Sequence, residues 1–335
     1  MKFRLAFLLL FLPIFAQAGA GPDFRRKAEK LAELTPETTL KAEAFRSAMK
    51  ADGLRNGVYV YSATLKQYAD APEKLAARLC VLGFDDVYMS CNRKRLQERE
   101  EWTRRFVSEC HSYGMRVQAM RMENLQMLVD HGRAKTEIDI LADYNASVSK
   151  KERIDGISAD IEVHIAKKAR GYDFLPYVWD APDSFGPGKD KDALLKLSIE
   201  LFDYAYPLTG KAGLELSEAL SCNFQGYYDK GQVEWGSTSQ YLDRCDYAIM
   251  MAYYPTMESI FEKSEPALKD ARREKCVSVA LKTAMNSMKS ASLQPQGWDY
   301  LLEALRYLNG KCSAYPSFRG IDIFHYQGLE EMWLI

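Results

Sequence analysis

The chain has 335 residues, is 47% hydrophobic, and carries 45 Lys and Arg against 46 Asp and Glu, for a net charge of −1. That length fits one large domain with a sizeable core. The even charge balance gives no electrostatic reason to expect nucleic acid or an anionic membrane surface as a partner.

Residues 1–20 stand apart. Lys2 and Arg4 precede an apolar core at 5–15, and Ala16-Gln17-Ala18 stands before Gly19. This is the pattern of a cleaved secretory signal, too short to span a bilayer. No Cys follows the core to take a lipid, so the expectation is a soluble exported protein, periplasmic or extracellular, with no transmembrane segment. Residues 21–55 are polar and helix-prone at 25–34 and 40–50, a lead-in expected to pack on the outside of a catalytic domain at 56–335. Seven Cys permit up to three disulfides and leave at least one thiol. There is no C-x-x-C or H-x-x-x-H spacing, so neither a metal nor another cofactor is expected. The four His are scattered and read as surface or satisfied core groups.

From there apolar, β-branched or aromatic runs of strand length alternate with segments of helical periodicity. Strands are predicted at 57–63, 86–91, 115–122, 155–162, 214–222, 247–253, 277–284 and 320–326. Between them fall a helical stretch with Leu75, Leu79 and Leu82 on one face, a helix at 94–113 stopped by Gly114, and others near 136–148, 192–206 and 298–308. Eight strands alternating with helices predict an α/β chain folded as a (β/α)8 TIM barrel. An open doubly wound sheet would want a Gly-rich phosphate turn after an early strand, and residues 62–65 provide none.

The fourth strand, Asp155-Gly156-Ile157-Ser158-Ala159-Asp160-Ile161-Glu162, ends in carboxylates. With a period of two, Ser158, Asp160 and Glu162 share one face. Each acid raises the other's pKa and burial raises both, which is how a carboxyl group is kept protonated as a general acid. The plainer reading is a solvated strand end paired with Lys or Arg. In a barrel the active site lies at the C-terminal strand ends. Those ends also carry Tyr61, Ser62, residues 90–92, residues 121–124, Asn223, Tyr253, Tyr254, Asn286 and residues 325–327, and the loops after the fourth and fifth strands are rich in aromatic residues. Rings and amides suit sugars, which present flat C–H faces and many hydroxyls. The same lining suits most polar ligands with an apolar face, and more than half of these rings read as loop anchors and core; a carbohydrate substrate is the expectation, with contacts from Tyr61, Glu123, Trp179, Tyr254 and His325.

The run Asp155-Gly156-Ile157-x-x-Asp160-x-Glu162 resembles the D-G-x-D-x-D-x-E signature of chitinase-like family 18 glycoside hydrolases, with Ser158 in place of the inner Asp. The run from Asp246 to Tyr253 is similar to that family's sixth-strand M-x-Y, with Tyr254 where an Asp commonly follows. The third strand lacks the family's S-x-G-G, and Phe324, His325 and Tyr326 stand where a Trp usually lies under the sugar. The resemblance implies a divergent relative: an exported retaining glycoside hydrolase using substrate-assisted catalysis on an N-acetylhexosamine-containing glycan. Glu162 would then be the general acid and later the base, Asp160 would orient the acetamido nucleophile, and Tyr253 would hydrogen-bond it. Carboxylates two residues apart leave no room for an inverting water. Three alternatives stand beside this reading. One is a hydrolase of a glycan without N-acetyl groups, taking its second carboxylate from Glu123 or Glu218. Another is a non-catalytic sugar-binding barrel. The last is a metal-dependent barrel in which Glu123, Asp160, Glu162 and His325 converge.

Overall fold

The computed structural model describes residues 22–51, 53–285 and 289–334, so the predicted secretory signal and Asn286 lie outside the described residues. Two helices, Pro22–Ala32 and Pro36–Met49, precede the first strand. The second opens on Thr35, whose hydroxyl accepts the Thr38 N–H, and has Pro36 at its start. All eight predicted strands are present: β1 Gly57–Val60, β2 Asp86–Ser90, β3 Arg116–Met120, β4 Gly156–Ala159, β5 Glu215–Ser221, β6 Tyr247–Met251, β7 Val277–Lys282 and β8 Phe318–Phe324. Each pairs in parallel with its neighbours, and β1 pairs with β8 to close the (β/α)8 barrel.

Most of the strands are shorter at their C-terminal ends than the apolar runs that predicted them. Tyr61, Asp160, Glu162 and Tyr253 lie just past the ladder, where the chain still alternates but has left the sheet. The helix predicted at 94–113 is two, Arg93–Gln97 and Glu101–Ser112, because Arg99 turns the chain with φ of 48°. The helix predicted at 192–206 runs Asp190–Lys211 and carries Pro207 inside it. All seven Cys are thiols, six of them buried, so none of the permitted disulfides forms. Among the described residues no helix is long and apolar enough to cross a membrane.

The barrel interior is unusually polar at its lower end. Asp86 is fully buried and meets Arg55 at 3.1 Å, Arg116 at 2.9 Å and Arg319 at 2.6 Å. Arg319 reaches inward because β8 slips by one residue against Val277 and Ser278, and its guanidinium lies 3.8 Å over the Tyr247 ring. Burial alone would raise the Asp86 carboxyl, but the three guanidinium groups outweigh it and hold it far below the ordinary range. Above this cluster the Tyr247 hydroxyl donates to Tyr88, and Tyr88 donates to Asp322 at 3.2 Å. The carboxyl layer thus lies beneath the floor of the cleft described next.

Candidate active site

β4 ends at Ala159, and Asp160, Ile161 and Glu162 leave the sheet to enter the single turn Val163–Ile165. This short passage is pinned from both sides. The Asp160 N–H donates to the Met122 carbonyl at 3.3 Å, and the Arg121 N–H donates to the Ser158 carbonyl at 3.1 Å. From the other side the Ile161 N–H donates to Glu218 Oε1 at 3.1 Å. The backbone carrying both acids is therefore held by the strands on either side of it.

The Asp160 carboxyl has Oδ1 buried without a hydrogen-bond partner. Burial, then the nearby Glu162 and Glu123 carboxylates, push it well above the ordinary carboxylate range. The same charges reach two tyrosines. The Tyr61 hydroxyl is raised by burial and then by Asp160, Glu123 and Glu162, and the Tyr253 hydroxyl by burial and then by Tyr61, Asp160 and Glu162. Side chains from the ends of β1, β3, β4 and β6 thus surround one space. Glu123 stands exposed at its rim; the cleft wall pushes its carboxyl up while Arg121 pulls it down. It arrives there after Met122, which turns the chain at the end of β3 with φ of 59°.

The floor is aromatic. Phe324 lies 5.6 Å from Tyr61 and 5.0 Å from Tyr253 between ring centroids, and Tyr61 lies 6.4 Å from Tyr59 and 5.3 Å from His325. The His325 imidazole is pushed down by burial, and its Nδ1 is buried with no partner. A hollow of about 420 Å³ opens beside Glu123, lined among others by Met120, Arg121, Ile165 and Tyr172. A second, of about 660 Å³, lies at the opposite end of the barrel by Glu215 and Asp246, away from the carboxyl pair.

Tyr61, Glu123, Asp160, Glu162, Tyr253 and His325 therefore come together, and three other residues do not. Tyr254 turns its hydroxyl toward Cys222 and Asn223, with the Lys263 ammonium 5.8 Å from its ring. Trp179 is only 9% exposed and packs on Phe224 and Tyr227, so it anchors the loop after β4 and leaves little ring for a ligand. Glu218 is fully buried. Ser217 before it faces the barrel axis and bonds Gln118, so Glu218 points the other way, toward Tyr241 and Cys245, and cannot serve a substrate as a second carboxylate. Among the described residues no three His, Cys, Asp or Glu side chains are grouped as a metal ion needs, so Glu123, Asp160, Glu162 and His325 do not make such a group.

Two contributors were not singled out by sequence reasoning. Phe324 is the hub of the floor; the sequence named it only with His325 and Tyr326 as standing where the family resemblance puts a Trp, and not as a site residue. His164 sets Nε2 3.3 Å from Glu162 Oε1. Its signal was the spacing of two from Glu162, hidden because that spacing falls in a turn.

No protein-family model matches this chain, and no curated protein matches it. Among solved structures it is similar to a GH18 chitinase from Pseudoalteromonas aurantia, at 13% identity and a TM-score of 0.54, over 84% of this chain and 97% of that one. It is also similar to the spore cortex-lytic enzyme SleL of Bacillus cereus, at 9% identity and a TM-score of 0.52, over 92% of this chain and 83% of that one. At these identities the likeness is one of fold alone.

Proposed function

We propose that this chain is an exported glycoside hydrolase that cleaves an N-acetylhexosamine-containing glycan with retention, the substrate's own acetamido group acting as nucleophile. The observation that carries the reading is the carboxyl pair at the end of β4, two residues apart and facing one space with Tyr61 and Tyr253. Glu162 gives its proton to the glycosidic oxygen as the acetamido oxygen attacks the anomeric carbon and the C–O bond breaks. It then takes a proton from the water that opens the resulting ring. Asp160 Oδ1, unengaged by the protein, is available to the acetamido group, and the Tyr253 hydroxyl, near Asp160 and Glu162, faces the same space. Phe324 and Tyr61 offer ring surface to the C–H face of the sugar. The leader-like first twenty residues support export.

Fluorophore release from an N-acetylglucosaminide oligomer series, by the mature protein beside its Glu162→Gln variant, tests the proposal. The variant is expected to fold and to lose roughly 10²- to 10⁴-fold in kcat. Equal activity in the two proteins would refute it. Equal cleavage of a substrate lacking the acetamido group would instead make Glu123 the second carboxylate, since Glu123 is the further acid that acts on Asp160.

A further inference from the structure

We propose that His164 is a positioning residue for Glu162, selecting which of its two carboxyl oxygens carries the transferable proton. The inference rests on the acid role proposed for Glu162. His164 Nε2 stands 3.3 Å from Glu162 Oε1. The imidazole is clamped edge-on by two rings from different loops: Trp179 at 6.3 Å and 75°, and Phe224 at 5.9 Å and 72°. Trp179 is itself fixed, packing on Phe224 at 5.6 Å and donating its backbone N–H to the Ala166 carbonyl at 2.6 Å. Trp179, packed away from any ligand, thus has a task, which is to hold the imidazole against the carboxyl.

The other ring nitrogen decides the tautomer. His164 Nδ1 is buried with no hydrogen-bond partner. A proton there would be a buried donor without an acceptor, which folded proteins avoid more strictly than an idle lone pair. The neutral ring therefore keeps its proton on Nε2, which at 3.3 Å lies within reach of Glu162 Oε1 and would donate to it as the two groups align over the substrate. With Oε1 engaged, the transferable proton sits on Oε2. It passes from Oε2 to the leaving glycosidic oxygen as that C–O bond breaks, and the carboxylate left behind keeps its bond from Nε2–H. The proton from the incoming water returns to Oε2. His164 itself neither gains nor loses a proton in the cycle.

His164→Phe keeps a ring between Trp179 and Phe224 and removes the donor, whereas His164→Gln keeps an N–H of similar reach. On a fluorogenic N-acetylglucosaminide, His164→Phe is expected to lower kcat roughly 10- to 100-fold, as for a catalytic group that drifts by about 1 Å. KM should stay within about twofold, and His164→Gln should recover most of the loss. Unchanged kcat in His164→Phe, or an equal loss in both variants, would overturn the proposal. A second readout needs no turnover: nitrogen NMR of the His164 ring in the wild-type protein should report an Nε2–H tautomer, and an Nδ1–H tautomer would overturn the assignment. If the wild-type protein cleaves nothing, the hydrolase reading fails by itself, and the tautomer still decides whether His164 donates to Glu162.

Discussion

Asp322 offers a direct test of how the barrel interior is charged. It is fully buried beneath the floor of the cleft, accepting from the Tyr88 hydroxyl at Oδ2 while Oδ1 has no partner. Burial pushes its carboxyl from the ordinary 3.8 up to about 7, with Arg319 opposing and Asp86 adding to the rise. In the fold Asp322 therefore keeps a proton that the unfolded chain has already released. The folded state binds more protons across that window, so stability falls as pH rises from about 4 toward 7 and levels off above. Linkage over pH 5 to 8 puts the loss at roughly 2 to 3 kcal/mol, most of it below pH 7. Asp322→Asn keeps the shape and the acceptor for Tyr88 but cannot ionise. Urea unfolding followed by circular dichroism at each pH, for both proteins, should show the variant gaining on the wild type by that amount, about 1 M in midpoint. Asp160 and Glu218, also raised by burial, act with the same sign in both proteins and cancel in the difference. A difference that stays flat from pH 5 to 8 would refute the reasoning.

Other consequences follow from single contacts. Tyr253→Phe removes the one hydroxyl proposed to hold the acetamido group and is expected to lower kcat/KM about 10- to 100-fold without changing the unfolding midpoint; unaltered kinetics would remove Tyr253 from the site. Glu218→Ala strips the acceptor from the Ile161 N–H and leaves a cavity, costing about 2–4 kcal/mol in denaturant titration, while Glu218→Gln, which can still accept, should stay within about 1 kcal/mol. If the two variants were equally unstable, the bond to Ile161 would not be what Glu218 provides. Gly320→Ala places a methyl against the Arg55 carbonyl oxygen at a φ of 152° and is expected to cost about 3 kcal/mol or more, read as a lowered melting temperature.

Some of the site was legible because it depends on spacing within one strand. Ser158, Asp160 and Glu162 had to share a face wherever the strand lay, since neighbours two apart in extended chain point the same way. The same rule separates Ser217 from Glu218, and so excludes Glu218 from the cleft once Ser217 is known to face the axis. Glu123 is different. Its place at the rim depends on Met122 adopting a left-handed backbone conformation that no local pattern signals. Trp179 and Phe324 show the same limit for aromatic residues: both stand near strand or loop ends, yet one is packed away and the other lies at the centre of the floor.

Read alone, the chain specifies eight buried strands, the helices between them and a carboxyl pair at the end of the fourth, because these follow from periodicities of two and of about 3.6 residues that every segment carries within itself. Closure of the barrel decides the rest. Tyr61 and Tyr253 come near Asp160, and Phe324 comes between their rings, only once β1 pairs with β8. Whether Glu162 is served by a histidine, or Ile161 held by a glutamate 57 residues away, depends on register between strands and on how the loops pack above them. Those distances are set by tertiary contact, for which a single strand's alternation carries no information.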